Sequence, residues 1–297
     1  MSRTVTVSAV QFEMRELGGF DDFAAQVRGL IERTDGSDIV VFPELVTEPL
    51  FTTKPGWQSD PISELGRISE YTDDYRALFS DLARTRGQNI LAGTHLVRIE
   101  DNLLNTAFLF TADGTEYRHE KTHIFPAEAD WGTGEGNVLE PIDLGVATVG
   151  IAVCYEAEIP EVSTVLSRRG AELLLVPSYT FTEAGFYRVR NTAAARCIEN
   201  QVYAVHAPIA GFAGAPLSPG WARASILSPC DLDFPANGVV VEAKTNVEDV
   251  ITATLDLDLL AENRKTGAAT TFYDRQRRTP LYRSFADDLL PESKEMA

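Results

Sequence analysis

Cys154 is the residue of this sequence best placed to act as a nucleophile. It follows a nearly unbroken apolar run over 146–153 and precedes Tyr155, a cluster of acids and Pro160. The run predicts a buried strand, and a proline at a first helical position predicts a helix after it. At such a turn, backbone N–H groups can face a developing negative charge while a thiol attacks a carbonyl carbon. A buried cysteine that only fills space is the competing interpretation.

A cysteine nucleophile needs a base, because the free thiol has a pKa of about 8.5. The four histidines, at positions 95, 119, 123 and 206, are all distant from Cys154 in the sequence. The alternative base is a carboxylate in a dry site, where desolvation raises its proton affinity. Glu44 is the best such candidate, since it follows Pro43 at the end of a buried strand predicted over 38–45. An ordinary loop carboxylate is the other interpretation of Glu44.

The letters H-E-K-T-H support two interpretations. If 117–124 is a strand, Lys121 shares one face with both histidines and can point into the same crevice, where its charge would stabilise an oxyanion. On a helix, His119-Glu120-x-x-His123 is the pattern of a zinc hydrolase. On a strand the two histidines would lie roughly 13 Å apart, at about 3.3 Å per residue, too far to share one ion. The neighbouring strand patterns favour the lysine interpretation and no metal.

Strands and helices alternate in the elements that position these residues. The first 45 residues complete a β-α-β unit, with strands over 4–12 and 38–45 and a helix over 20–31. Further helices are predicted over 62–86, 160–169 and 184–200, and further strands over 89–99, 105–111, 117–124, 146–153, 172–176, 202–207, 224–227, 238–243 and 250–255. Ligands of open α/β sheets bind beyond the carboxyl ends of the strands. Glu44, Cys154 and Ser178 follow three such strands, so one crevice can hold all three.

The composition limits the classes of partner and compartment. The chain has 297 residues, 44% of them hydrophobic, and no linker-like tract divides it, so we predict one domain over 1–297. A formal charge of −18 argues against nucleic acid or an anionic membrane surface as a partner. Three cysteines without C-x-x-C spacing, no signal-peptide core and no apolar run of roughly 20 residues favour a soluble cytoplasmic protein.

Three ordered motifs resemble the Glu-Lys-Cys signature of the nitrilase superfamily of carbon–nitrogen hydrolases. They are V-F-P-E-L around Glu44, E-K-T-H-I-F-P-A-E around Lys121 and G-I-A-V-C-Y-E-A-E-I-P-E around Cys154. Further matches lie at 9–12, 170–178 and 193–203. The resemblance implies a four-layer α-β-β-α sandwich, no metal or organic cofactor, and a homodimer or higher homo-oligomer. We expect a C-terminal extension over about 275–297 to pack on the dimer partner.

The resemblance also assigns catalytic roles. It implies that Cys154 is the nucleophile, that Glu44 is the general base and acid, and that Lys121 is the cation that stabilises the oxyanion. It implies a second oxyanion donor in the backbone N–H of Tyr155. Glu128 looks like the family's additional glutamate, which positions substrate or water near the thiol.

The implied reaction is hydrolysis of a linear amide or N-carbamoyl bond through a thioester, with release of ammonia or an amine and a carboxylic acid. Tyr155 stands where many nitrilases have Trp, which favours an amidase over the alternative of a nitrilase. Glu158 stands where several small-acid amidases carry an arginine. A catalytically silent interaction protein is a further alternative, disfavoured by the intact Glu-Lys-Cys set. The residues expected near the small-molecule substrate are Tyr179, Thr180 and Phe181.

Overall fold

Two β-sheets packed face to face form the centre of the computed structural model, which describes residues 3–100 and 102–289. The strands are β1 (Thr4–Met14), β2 (Ile39–Val41), β3 (Asn89–Ile99), β4 (Asn102–Phe110), β5 (Glu116–Glu120), β6 (Thr133–Gly134), β7 (Ile142–Asp143), β8 (Thr148–Ile151), β9 (Leu173–Ser178), β10 (Tyr203–Gly211), β11 (Ser225–Leu227), β12 (Val239–Glu242) and β13 (Asp249–Asp256). The α-helices are α1 (Phe20–Glu32), α2 (Thr72–Arg86), α3 (Pro126–Ala129), α4 (Pro160–Arg168), α5 (Glu183–Asn200), α6 (Leu257–Thr266), α7 (Thr271–Arg277), α8 (Thr279–Arg283) and α9 (Ala286–Leu289). In the described part of the chain, no helix has both the length and the apolar character needed to cross a membrane.

The first sheet has the strand order β5-β4-β3-β2-β1-β13, and the second has the order β12-β11-β10-β9-β8-β7. Strands β1, β2 and β3 run parallel to one another, as do β8, β9 and β10, and antiparallel strands flank both groups. The two sheets join where the end of β1 pairs with β10, with Phe12 opposite Ile209. The carboxyl ends of the central parallel strands are where the structure positions its candidate site.

Helices cover both sheets. Helices α1 and α2 pack on the first sheet through buried residues such as Val27 and Phe79. Helices α4 and α5 pack on the second sheet, α4 against β8 and α5 against β10. Between the sheets, side chains such as Val7 and Leu175 belong to one buried apolar cluster. The predicted four-layer α-β-β-α sandwich is confirmed.

The helix predicted over 62–86 is two different elements, so this prediction was wrong for its first part. The segment Ile62–Tyr71 is a 3₁₀ helix, and the α-helix begins only at Thr72. Apolar residues occur at every third position of the first segment, namely at Ile62, Leu65, Ile68 and Tyr71. A helix with three residues per turn aligns such residues on one face. In α2 the buried residues Tyr75, Leu78, Phe79 and Leu82 instead follow the α-helical spacing, and the predicted C-cap Gly87 has φ 65°.

The strand predicted over 117–124 ends early, at Glu120. The backbone N–H of Thr122 donates to the Glu156 carboxylate at 2.8 Å. Because that N–H has a side-chain acceptor, it is not available to continue the sheet ladder. Lys121 therefore lies just past the strand and turns toward the interior, where its side chain is 1% exposed.

Candidate active site

Three side chains from distant parts of the chain converge below the carboxyl ends of the strands. Glu44 follows β2, Lys121 follows β5 and Cys154 follows β8. Their residues are 3%, 1% and 6% exposed, respectively. The Lys121 Nζ donates to Glu44 Oε1 at 2.7 Å. The buried ammonium and carboxylate thus form a hydrogen-bonded ion pair, the type of pairing that a charge needs to be retained in a protein interior.

A second carboxylate, that of Glu128 in α3, completes this ion-pair network. The Lys121 ammonium also donates to Glu128 Oε2. Asn105 in β4 bridges the two acids, since its Nδ2 donates to Glu44 Oε1 at 3.0 Å and to Glu128 Oε1 at 2.8 Å. The backbone N–H of Phe125 donates to Glu128 Oε2 at 2.8 Å. Both carboxylates are therefore fixed by groups that cannot accept a proton from them.

The backbone of Tyr179 links Glu44 to the thiol. Its N–H donates to Glu44 Oε2 at 2.9 Å, and its carbonyl oxygen lies 3.6 Å from the Cys154 Sγ as an acceptor. Ser178 Oγ donates to the same sulfur at 3.6 Å. Cys154 has φ 47°, in the left-handed region, and begins a 3₁₀ segment that runs to Glu158. A non-glycine residue in that region is strained, and such strain often occurs at functional sites.

The buried network shifts the pKa values of its members. Burial raises the pKa of Glu44, although the Lys121 charge and a hydrogen bond with the Cys154 thiol oppose the shift. Burial, together with the nearby Glu44 charge, raises the pKa of the Cys154 thiol. Burial opposes the charge of Lys121, but Glu128 and Glu44 outweigh it and raise the pKa of Lys121. At neutral pH the arrangement is therefore a protonated thiol beside a fixed ammonium and a carboxylate of raised proton affinity.

A cavity of about 180 Å³ opens onto the sulfur. Its lining residues are Phe125, Cys154, Glu158, Tyr179, Thr180, Phe181, Thr182, Gly185 and Arg188. The Tyr179 and Phe181 rings are 4.8 Å apart between centroids, in an edge-to-face arrangement. Arg188 Nε donates to both oxygens of Glu158, at 2.8 and 2.9 Å. The cavity thus combines aromatic walls with one ion pair. Tyr179, Thr180 and Phe181, which the sequence predicts near the substrate, all line it.

Tyr155 contributes to the site through its backbone position and a ring contact. It is the second residue of the 3₁₀ segment, and its ring packs edge-to-face on Phe125 with centroids 5.8 Å apart. It is absent from the residues that line the cavity. The Tyr155 side chain therefore packs against a residue of the cavity wall, Phe125.

No histidine lines the cavity, and the hydrogen-bond partners of the Cys154 sulfur among the described residues are Tyr179 and Ser178. His95 and His206 are fully buried, and burial lowers the pKa of each to about 3. His119 lies in β5 and bonds to Glu156, and His123 follows the strand. The zinc interpretation requires a helix through both of these residues. The strand geometry does not provide that helix.

Sequence reasoning missed several residues of the site and its surroundings. Asn105 gave only a weak signal, since it is one of three polar residues, with Asn102 and Thr106, in the N-L-L-N-T-A-F-L-F of β4. Nothing in the sequence indicates the role of Arg188, because its spacing does not distinguish it from other arginines on helix surfaces. Glu48 and Glu156 are fully buried acids, yet neither could be distinguished from neighbouring surface acids by spacing.

Known proteins resemble this chain over most of its length. The family model described as carbon-nitrogen hydrolase matches residues 6–265. The probable hydrolase YhcX of Bacillus subtilis (strain 168) is 34% identical over 281 residues, which cover 92% of this chain and 54% of YhcX. The chloroplastic omega-amidase of Arabidopsis thaliana is 26% identical over 256 residues, which cover 83% of this chain and 65% of that protein. The chain thus spans less than two thirds of the length of either relative.

The fold recurs in solved structures. The crystal structure of Saccharomyces cerevisiae Nit3, a member of branch 10 of the nitrilase superfamily, superposes with a TM-score of 0.70 over 99% of this chain and 97% of that one. The two sequences are 19% identical, so this likeness concerns the fold alone. The family assignment comes from the sequence matches. With its family model matched over 6–265 and the fold of the nitrilase superfamily, the chain belongs to the carbon-nitrogen hydrolase family.

Proposed function

We propose that this protein is an amidase that hydrolyses a linear amide or N-carbamoyl compound through a cysteine thioester. The observation that carries the proposal is the buried Glu44–Lys121 pair, 2.7 Å apart, beside a thiol that opens into a cavity. A base, a cation and a nucleophile are the three groups that acyl transfer requires. The family membership and the omega-amidase relative point in the same direction.

The first half-reaction forms the thioester. The Cys154 sulfur attacks the carbonyl carbon of the bound amide while the thiol proton moves to Glu44. The carbonyl oxygen becomes negative, and the Lys121 ammonium and the backbone N–H of Tyr155 stabilise that charge. Glu44 then gives its proton to the departing nitrogen, the carbon–nitrogen bond breaks, and ammonia or an amine leaves.

The second half-reaction consumes water. Glu44, again ionised, removes a proton from a water molecule that attacks the thioester carbonyl, and the same two donors stabilise the second oxyanion. The carbon–sulfur bond breaks, the proton returns to Cys154, and a carboxylic acid is released. Glu128 serves as a positioning residue, because its carboxyl group accepts a second hydrogen bond from the Lys121 ammonium beside the one to Glu44.

A substrate panel tests the proposal. Ammonia release is measured with the primary amide, the N-carbamoyl amine and the nitrile of one small acyl group. We expect the amide or the carbamoyl compound to be hydrolysed, Cys154→Ala to be inactive, and trapped enzyme to carry the acyl mass on Cys154. Cys230→Ala is the matched control, since Cys230 is an exposed thiol outside the cavity.

Two results would overturn the proposal. Full turnover by Cys154→Ala would remove the cysteine mechanism. Hydrolysis of the nitrile alone would show that the protein is a nitrilase and not an amidase. A nitrilase attacks a carbon–nitrogen triple bond and consumes a second water molecule.

We also propose that the protein acts as a homodimer or higher homo-oligomer, with the C-terminal helices at the contact. The segment from α7 to α9 carries five large apolar residues that are each between 41% and 53% exposed, namely Tyr273, Leu281, Tyr282, Phe285 and Leu289. Exposed apolar patches commonly mark protein interfaces. The last part of the predicted extension, residues 290–297, lies outside the described residues.

Light scattering after size-exclusion chromatography tests the oligomer. We expect a mass of at least twice the 32.6 kDa of one chain, and a monomer for the variant with Tyr282→Ser and Phe285→Ser. A wild-type monomer at micromolar concentration, or an unchanged oligomer in the variant, would count against this contact.

A further inference from the structure

Glu156, two residues after the nucleophile, is a buried carboxylate with every oxygen in use. Its Oε1 accepts from the Thr122 N–H at 2.8 Å and from the Thr122 Oγ1 at 2.6 Å. Its Oε2 accepts from His119 Nε2 at 2.9 Å and from the Val153 N–H at 2.7 Å. The residue is 0% exposed. So many donors on one carboxylate indicate a site built for its negative charge.

The donors belong to the two segments that carry the cation and the nucleophile. His119 and Thr122 lie on either side of Lys121, and Val153 directly precedes Cys154. These segments belong to different sheets, because β5 is the edge strand of the first sheet whereas β8 belongs to the second. The Glu156 carboxylate is therefore a direct bridge between them.

The same carboxylate also constrains the strained turn. The Val153 N–H donates to the Glu156 side chain, and the Glu156 N–H donates back to the Val153 carbonyl at 2.9 Å. Cys154 lies inside this closed pair of hydrogen bonds with its φ of 47°. A strained residue persists only where its surroundings over-determine it. Glu156 supplies that constraint from both neighbouring residues.

Charge is retained on Glu156 despite its burial. Burial by itself raises the pKa of the group, but the interaction with His119 and the hydrogen bonds from His119 and Thr122 outweigh it and lower the pKa of Glu156. The bridge is therefore ionic at neutral pH. It does not line the cavity, so it makes no contact with a bound substrate.

We propose that Glu156 is a positioning residue of the active site, which holds the Cys154 sulfur in register with Lys121. This role rests on the proposed amidase function. It predicts that loss of the Glu156 charge releases the turn, so that the thiol becomes more accessible but less productively aligned. Misalignment of about 1 Å is enough to cost roughly 100-fold in turnover.

The test uses Glu156→Gln, which keeps the size and removes the charge, with Glu32→Gln at an exposed position as the matched control. All variants carry Cys230→Ala, and alkylation by iodoacetamide is measured on the Cys154 peptide by mass spectrometry, because the buried thiol of Cys197 remains. We expect Glu156→Gln to lower kcat by about 100-fold with KM within about threefold, and to raise the alkylation rate at least about threefold. Assays run well below the melting temperature of each variant.

If unfolding were the cause of the expected loss in kcat, nearly all of the protein would have to be unfolded, because a partly unfolded sample keeps the KM of its folded fraction. Opposite changes in turnover and thiol reactivity, together with a circular dichroism spectrum equal to that of the wild type, are therefore the signature of positioning. Wild-type kcat and wild-type alkylation in Glu156→Gln would overturn the proposal. If Glu156→Gln does not fold, Thr122→Ala decides by the same two readouts, with an expected loss in kcat of about tenfold. If the wild type hydrolyses no amide, the proposed function fails, whereas the alkylation rates still decide the role of Glu156.

Discussion

Glu48 offers a stability test of how dry the interior around the candidate site is. The residue lies four positions after Glu44 and is 1% exposed. Burial raises the pKa of Glu48 from 4.5 to about 8, with a further contribution from the Glu44 charge and against the effect of a hydrogen bond with the Tyr179 side chain. We therefore expect Glu48 to be neutral in the folded protein at neutral pH and ionised in the unfolded chain.

The sign of the effect follows from proton linkage. Because the pKa of Glu48 is raised in the folded state, its contribution to stability is complete below pH 4.5 and is lost as the pH rises through about 8. With these two pKa values, raising the pH from about 5 to about 8 removes about 3.5 kcal/mol of unfolding free energy. Glu48→Gln mimics the neutral acid and binds no proton in either state. Its stability relative to that of the wild type should therefore rise by about 3.5 kcal/mol over this range.

Urea denaturation at several pH values between about 5 and about 8 measures that margin by linear extrapolation. The Glu32→Gln variant, at an exposed position of α1, serves as the control and should run parallel to the wild type. Parallel curves for Glu48→Gln as well would refute the reasoning, because they would mean that Glu48 titrates alike in both states. A Glu48→Gln variant that is less stable than the wild type at about pH 8 would refute it too.

Three further predictions concern the residues around the thiol. A Cβ on Gly93, which has φ 72°, would clash with the Pro43 carbonyl next to Glu44, so Gly93→Ala should lose about 3 kcal/mol or more in chemical denaturation. Gly29→Ala in α1 meets open space and should gain up to about 1 kcal/mol, and equal effects of the two substitutions would contradict this account. Asn105→Leu removes an amide donor from the carboxyl groups of both Glu44 and Glu128. This loss should raise the pKa of Glu44 further and move the acid limb of the kcat/KM profile to higher pH. An acid limb at the wild-type pH would contradict the role of Asn105. Glu44→Gln removes the charge that, together with burial, raises the pKa of Cys154. Iodoacetamide should therefore modify Cys154 faster at about pH 7, while amide turnover falls by about 1,000-fold. Slower alkylation of Cys154 would disprove the electrostatic argument.

Local rules explain why much of the fold and the placement of the central residues could be predicted. An apolar run broken by Pro43 marks the end of a strand, so Glu44 must lie at the carboxyl end of that strand. The same reasoning applies to Cys154 before Pro160. Strand ends in an α/β sheet face a common crevice, so the meeting of these residues follows from their positions along the strands.

The roles of acidic residues could not be predicted, because those roles depend on tertiary contacts. Glu156, Glu158 and Glu161 lie within six residues of one another and are chemically identical. In the structure the first is buried and bonded to two segments, the second pairs with Arg188 at the cavity, and the third is exposed. The burial of each side chain depends on which element packs against it in the folded protein. The spacing of residues in this short turn does not predict that contact.

The charge balance of the buried network explains why a protonated thiol suits the proposed mechanism. Two acidic side chains, those of Glu44 and Glu128, hydrogen-bond to the single ammonium of Lys121. A thiolate at rest would add a further negative charge beside these acids in a dry site, which is costly. In the proposed mechanism, the thiol proton neutralises Glu44 when Cys154 attacks a carbonyl, and the new negative charge forms on the substrate oxygen, where Lys121 can stabilise it. We therefore expect the nucleophile to form only in the presence of an acceptor, and the thiol to stay weakly reactive until a substrate is bound.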